Sequence, residues 1–228
     1  MIRSALFAAQ MYLAMGVLGL AFAPAALLSR DGAVRACKLW CAWVRWTARW
    51  MLGLRTEIRG TPPEGAVLVA AKHQSFLDVI LIFAALPRPR FVMKAELMRM
   101  PVFGWYVARL GCIPVQRGKK GEAVANLLQA AGSGEGQIAI YPQGTRVPPG
   151  QDAPYRYGAA ALYAHLGQPC IPVATNAGYL WPLGLRRHSG LAIVEFLPPI
   201  APGLAPDVFL ATLEDRIETA SARLAEET

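Results

Sequence analysis

A chain of 228 residues, 54% of them hydrophobic, is long enough for one sizeable core, and no Ser/Gly linker, low-complexity tract or solenoid-period repeat divides it. Its formal charge of +8 sits on a composition only 17% charged, and basic with apolar favours a membrane surface carrying anionic lipid over nucleic acid, for which the sequence has no recognition signature. Cys37, Cys41, Cys112 and Cys170 make neither a CxxC pair nor a zinc spacing, so they read as reduced, packed thiols of a domain facing the cytoplasm.

In chain order, the first element is the uncharged stretch Ser4 to Leu28. As a helix it would cover about 37 Å, more than the roughly 30 Å of bilayer hydrocarbon. Ala21-Phe22-Ala23 imitates a signal-peptide cleavage site, but Pro24 follows directly and the apolar region is longer than a leader needs; the stretch is expected to act as an anchor. Asp31-Gly32 predicts a turn, and Ala33 to Leu54 a second helix. On its wheel Trp40, Trp43, Trp46 and Trp50 form one stripe, with Arg35, Lys38, Arg45 and Arg49 beside it. Indoles settle at the headgroup level and cationic side chains reach anionic lipid, which makes this an interfacial membrane helix; a helix laying its Trp face on the globular domain is the competing reading. Arg3 precedes the apolar segment and Arg30 and Arg35 follow it, so charge asymmetry gives no orientation. A hairpin dipping into one leaflet is preferred to a crossing. Residues 1–54 are read as a two-helix membrane-anchoring segment and 55–228 as the globular domain.

Strands are predicted at Ala66 to Ala71, Arg90 to Lys94, Cys112 to Arg117, Gln137 to Tyr141, Ile171 to Asn176 and Leu191 to Leu197. Helices are predicted at Phe76 to Leu86, Leu97 to Leu110, Glu122 to Ala131, Arg156 to Leu166 and from Asp207 onward. This alternation predicts an α/β fold, a layered sheet flanked by helices, with functional groups where strands end and loops begin.

Three loops carry chemistry. In "KHQSFLD", His73 and Asp78 are five residues apart, about 140° around an ideal helix, so they pair only if His73 lies in a loop and Ser75 caps the helix that follows. Ser75 to Asp78 has the form of a capping box, which gives Asp78 a structural reading beside the catalytic one. In "RLGCIPVQRGKK" a strand ends at Arg117, and Lys119 and Lys120 read as a solvated charge run. In "IYPQGTRVPPG", Gly144 permits close backbone approach and Arg146 offers a planar fork for phosphate oxygens.

Over roughly residues 60 to 180 these loops resemble the glycerolipid acyltransferase family of the lysophosphatidate acyltransferase type. "HQSFLD" resembles its H-x4-D motif, "GCIPVQR" with Gly111 and Arg117 its second, "YPQGTR" its F-P-E-G-T-R block, and "IPVAT" with Pro172 its fourth. The resemblance implies acyl transfer to the sn-2 hydroxyl of 1-acyl-glycerol-3-phosphate, giving phosphatidic acid, with acyl-CoA or acyl-carrier protein as donor and no other cofactor or metal. It implies His73 as general base and Asp78 as the group that fixes its tautomer. Arg117 and Arg146 match the phosphate-binding positions, and Lys94, Gln143, Gly144 and Thr145 complete the expected substrate-binding set. The catalytic domain is expected on the cytoplasmic face of a bacterial-type inner membrane. Two departures stand out: Gln143 replaces the usual Glu, which leaves another lysolipid such as lyso-ornithine lipid open as acceptor, and Lys72 replaces the usual Asn. A non-catalytic lipid-binding protein is the reading from another class.

Overall fold

The structure, a computed structural model, describes residues 1–116, 120–132 and 134–228, with the backbone only for 120–123. The chain opens with three helices, α1 (Ile2–Ala21), α2 (Ala23–Leu28) and α3 (Arg30–Leu52). Pro24 sits in the first turn of α2, where its missing N–H costs nothing. The turn expected at Asp31-Gly32 falls instead at Ser29, whose extended backbone and side chain cap α3 by accepting from Gly32 N at 3.0 Å. Asp31 then lies in the first turn, beside the positive end of the helix dipole. Gly32 serves packing: a Cβ there would lie 2.2 Å from the Ala25 carbonyl oxygen.

Among the described residues seven strands form one sheet: β1 (Leu54–Arg59), β2 (Leu68–Ala71), β3 (Pro89–Lys94), β4 (Ile113–Val115), β5 (Gln137–Ile140), β6 (Cys170–Thr175) and β7 (Gly190–Phe196), in the order β1-β7-β6-β2-β5-β3-β4. Neighbours are parallel except β6 and β7. The six expected strands are present within a residue or two. β1 escaped the pattern because "LRTEIR" is an edge strand, mostly half-exposed, with little apolar content to betray it.

The remaining helices are α4 (Phe76–Ala85), α5 (Phe103–Arg109), α6 (Lys120–Gly132), α7 (Tyr157–Leu166), α8 (Ala177–Leu180) and α9 (Pro206–Ala225). The single helix expected over 97–110 is split into a 3-10 turn, Ala95–Arg99, and α5. Pro101 and Val102 part them, and Val102 takes φ 61, an unfavourable conformation for a β-branched residue.

Alternation along the strands sends side chains to two cores. Val69, Ala71 and Ala139 face α1, α3, α4 and α5, while Leu68, Ala70, Ile138 and Ile140 face α6, α7 and α9. Phe7 and Met11 of α1 and Val44 of α3 are buried in the same cluster as Leu77 and Ile80 of α4. The boundary drawn at residue 54 is therefore no break in packing, and the N-terminal helices cover one face of the sheet. Apart from Arg3, the exposed residues of α1 are mostly apolar, including Leu6, Leu13, Val17 and Leu20. On α3, Trp43, Trp46 and Trp50 are 41%, 56% and 71% exposed, so the Trp stripe does not cover the domain. Trp40 alone turns inward, donating its indole N–H to the Met11 carbonyl.

The carboxyl ends of the parallel strands β2, β3, β4 and β5 open on one edge of the sheet, where α/β folds place their sites. His73 follows β2, Lys94 ends β3, Gln116 follows β4 and Tyr141 follows β5.

Candidate active site

The local fold around His73 follows from its neighbours. Ser75, with φ −148 and ψ 169, is the N-cap of α4; its Oγ accepts from Leu77 N and donates to the Trp181 carbonyl. That geometry leaves His73 and Gln74 outside the helix and folds them back over its first turn. Asp78 closes the capping box: Oδ2 accepts from Ser75 N at 2.7 Å and Gln74 N at 2.8 Å. Its other oxygen, Oδ1, lies 2.9 Å from His73 Nδ1. The loop-plus-cap arrangement expected from the spacing is the one the chain adopts.

Asp78 is completely buried, and a fourth donor reaches it: the Tyr141 hydroxyl lies 3.1 Å from Oδ1. Four donors on two oxygens fill the acceptor capacity of a carboxylate. Because that oxygen only accepts, the proton of a neutral imidazole belongs on Nδ1 here, and Nε2 of that tautomer keeps its lone pair. The Tyr141 ring stacks on the imidazole with centroids 3.9 Å apart, and Val147 N donates to the His73 carbonyl at 2.8 Å. Burial, with the charge of Asp78 and the hydrogen bond to it, holds the Tyr141 hydroxyl well above its ordinary range, opposed by Arg146. It remains a donor.

His73 lines a cavity of about 1380 Å³, above the roughly 300–1,000 Å³ usual for small-molecule pockets. Its walls are apolar and run inward between α4 and α5 to Met15, Leu18 and Gly19 of α1 and to Cys37, Trp40 and Cys41 of α3. Lys94, Gln116, Thr145, Arg146 and Arg156 are polar residues that line the same cavity as His73. The thiols on the apolar wall are no alternative nucleophiles, since burial pushes Cys37 up to about 12 and Cys112 up to about 11.

Lys94, Gly144, Thr145 and Arg146 of the expected binding set thus share the cavity with His73. Arg117 lies outside the described residues. Gln143 stands apart from these four: its side chain is buried, points its amide nitrogen at the Ala153 carbonyl, and is not among the residues that line the cavity. The backbone turn that brings Gly144 to φ 67 presents Gly144, Thr145 and Arg146 to the cavity and tucks Gln143 behind them. Lys72 is no pocket cation either. It is buried on the other side of the sheet, with Nζ 2.7 and 2.6 Å from the two carboxylate oxygens of Glu218 on α9, and Glu218 Oε1 also accepts from the Tyr155 hydroxyl. Arg156, outside the four motifs, also lines the cavity. Its Nε donates to the Gln143 carbonyl, and a Cβ on Gly144 would lie 3.0 Å from that nitrogen. A cation at the start of α7, thirteen residues beyond Gln143, was the available signal.

The chain matches the model of the Acyltransferase family over residues 55–176. It is 33% identical over 189 residues to the 1-acyl-sn-glycerol-3-phosphate acyltransferase of Pseudomonas aeruginosa, covering 78% of this chain and 72% of that one. The human 1-acyl-sn-glycerol-3-phosphate acyltransferase alpha is 29% identical over 179 residues, covering 74% of this chain and 63% of that one, so the match spans under two thirds of the human protein. Among solved structures, the 1-acyl-sn-glycerophosphate acyltransferase PlsC from Thermotoga maritima has the same fold, with a TM-score of 0.82 at 18% identity, over 98% of this chain and 96% of that one.

Proposed function

The chain belongs to the acyltransferase family, and from that premise we propose how it acts: it moves an acyl chain from a thioester to the sn-2 hydroxyl of 1-acyl-sn-glycerol-3-phosphate, making phosphatidic acid for phospholipid synthesis. One observation carries the reading. An imidazole held on Nδ1 by a buried carboxylate lines a large apolar cavity together with Lys94 and Arg146.

The chemistry follows from those parts. Nε2 of His73 takes the proton of the acceptor hydroxyl as its oxygen attacks the thioester carbonyl. Asp78 stabilises the imidazolium that forms. The tetrahedral intermediate collapses by breaking the C–S bond, and the departing thiolate takes the proton back from Nε2. The substrate is itself the nucleophile, so no acyl-enzyme is needed. Arg146 and Lys94, which have no ion-pair partner among the described residues, supply the charge to hold the acceptor phosphate close to His73. Arg117 belongs to the same proposed set by its motif. The apolar depth of the cavity suits acyl chains.

The donor is acyl-CoA or acyl-carrier protein, with no further cofactor. The N-terminal apolar helix supports association with a membrane. The finer reading is a protein held on one leaflet of a bacterial inner membrane, its catalytic end in the cytoplasm, touching anionic lipid through α1 and the exposed face of α3. Support comes from the exposed leucines of α1, from Trp43, Trp46 and Trp50, and from exposed Arg35 and Arg49 beside them. The buried side chain of Gln143, which is not among the residues lining the cavity, supports lysophosphatidate over a different acceptor.

The test is turnover by purified protein with lysophosphatidate and with lyso-ornithine lipid, each offered acyl-CoA and acyl-carrier protein. Phosphatidate is the expected product, and His73→Ala should lose transfer while still binding lysophosphatidate. Transfer to lyso-ornithine lipid alone would reject the acceptor, and normal turnover by His73→Ala would reject the base.

A further inference from the structure

Asp78 Oδ1 is shared between two donors. It accepts the His73 Nδ1–H at 2.9 Å and the Tyr141 hydroxyl at 3.1 Å, while the Tyr141 ring lies over the imidazole with planes 20° from parallel. We propose that Tyr141 is a positioning residue that sets the basicity of His73: its hydroxyl takes up part of the Asp78 charge, and its ring fixes the plane in which Nε2 faces the cavity. This rests on the reading of His73 as general base.

The physical argument concerns one oxygen. Oδ2 is already committed to Gln74 N and Ser75 N, so the imidazole draws on Oδ1 alone. A completely buried carboxylate beside an imidazole favours the imidazolium, which is useless as a base. A hydroxyl on the same oxygen disperses its charge and weakens that pull. Tyr141 keeps this proton throughout, because burial and the neighbouring Asp78 hold its ionisation well above the ordinary range. Among the described residues, the other charged side chains that line the cavity are Lys94, Arg146 and Arg156. Lys72, next to His73 in the chain, is turned away to Glu218. None of these changes when the hydroxyl alone is removed.

Tyr141→Phe keeps the ring and deletes the hydroxyl. The acid limb of its kcat/KM profile should move to higher pH by roughly half a unit, an activity about threefold lower on that limb. The plateau and the acceptor KM should stay within about twofold of the parent. Tyr141→Leu, which also removes the stack, should lose kcat in addition. An acid limb that stays put or moves to lower pH in Tyr141→Phe overturns the proposal. An inactive His73→Ala would still sustain the base in that case, so the two failures are distinguishable. Should Tyr141→Phe turn over too slowly to profile, the NMR titration of the His73 ring, assigned by its loss in His73→Ala, decides by the same direction of shift.

Discussion

Asp78 caps the helix it belongs to and grips His73, five residues earlier, with its other oxygen: Oδ2 takes the Gln74 and Ser75 amides, and Oδ1 the imidazole. The structural and catalytic readings of that carboxylate are one arrangement. A helix start is a rigid frame, and an imidazole whose partner carboxylate is part of the cap inherits that rigidity.

Asp78→Asn separates the two jobs. The amide keeps one acceptor oxygen but turns an NH₂ towards donors, so either the cap or the imidazole loses its partner. We expect kcat to fall by about 10²–10⁴, with the acceptor KM within about threefold and a loss of stability of about 1 kcal/mol or more from the cap. Steady-state kinetics beside a thermal melt checks this. A kcat within tenfold of the parent would make Asp78 purely structural.

Arg146→Ala tests where the phosphate lies. The side chain is exposed at the cavity and has no ion-pair partner among the described residues. Losing a charge-assisted bond of about 1.5–3 kcal/mol should raise the acceptor KM by roughly 10–100-fold, with kcat little changed. Arg146→Lys should recover only part, since an ammonium lacks the two-pronged geometry. A raised donor KM beside a normal acceptor KM would show that Arg146 serves the thioester.

What the sequence made legible follows the reach of local rules. Period-two and period-3.6 patterns mark elements whose faces are fully buried, which is why β2, β5, β6 and α4 were visible and the edge strand β1 was not. The His73–Asp78 contact was legible because the capping box beside it is local: Ser75 to Asp78 determine it. Partners far apart in sequence were not. Lys72 finds Glu218 146 residues away, and Tyr141 finds Asp78 63 residues away. A motif places Gln143 among site residues but does not say which way a turn with Gly144 at φ 67 sends each side chain. Nor does an apolar N-terminus announce that Phe7 and Met11 complete the domain's own core.

The Lys72–Glu218 pair predicts stability without catalysis. The Lys72 side chain is 4% exposed and that of Glu218 35%, so the carboxylate is the partner that makes a buried ammonium tolerable. Glu218→Gln should cost about 2 kcal/mol and lower Tm by roughly 4–8 °C, while kcat at 25 °C stays within about threefold. Replacing both, Lys72→Met with Glu218→Leu, should restore most of the loss, because no charge is left buried. A Glu218→Gln protein of unchanged Tm would mean that the pair contributes nothing.

Membrane contact is best tested on the surface of α3, since removing residues 1–54 would strip Phe7, Met11 and Val44 from the core and unfold the domain. Trp43, Trp46 and Trp50 are exposed, and none of them is among the buried residues of that core. Changing all three to Gln should leave Tm within about 3 °C, because little buried apolar area is lost. Binding to vesicles of anionic lipid should fall at least about tenfold, since three indoles no longer enter the headgroup layer. Raised salt should weaken what binding persists by screening Arg35 and Arg49. Vesicle binding equal to the parent's would assign the contact to the exposed leucines of α1, and Leu6, Leu13, Val17 and Leu20 would be the residues to change next.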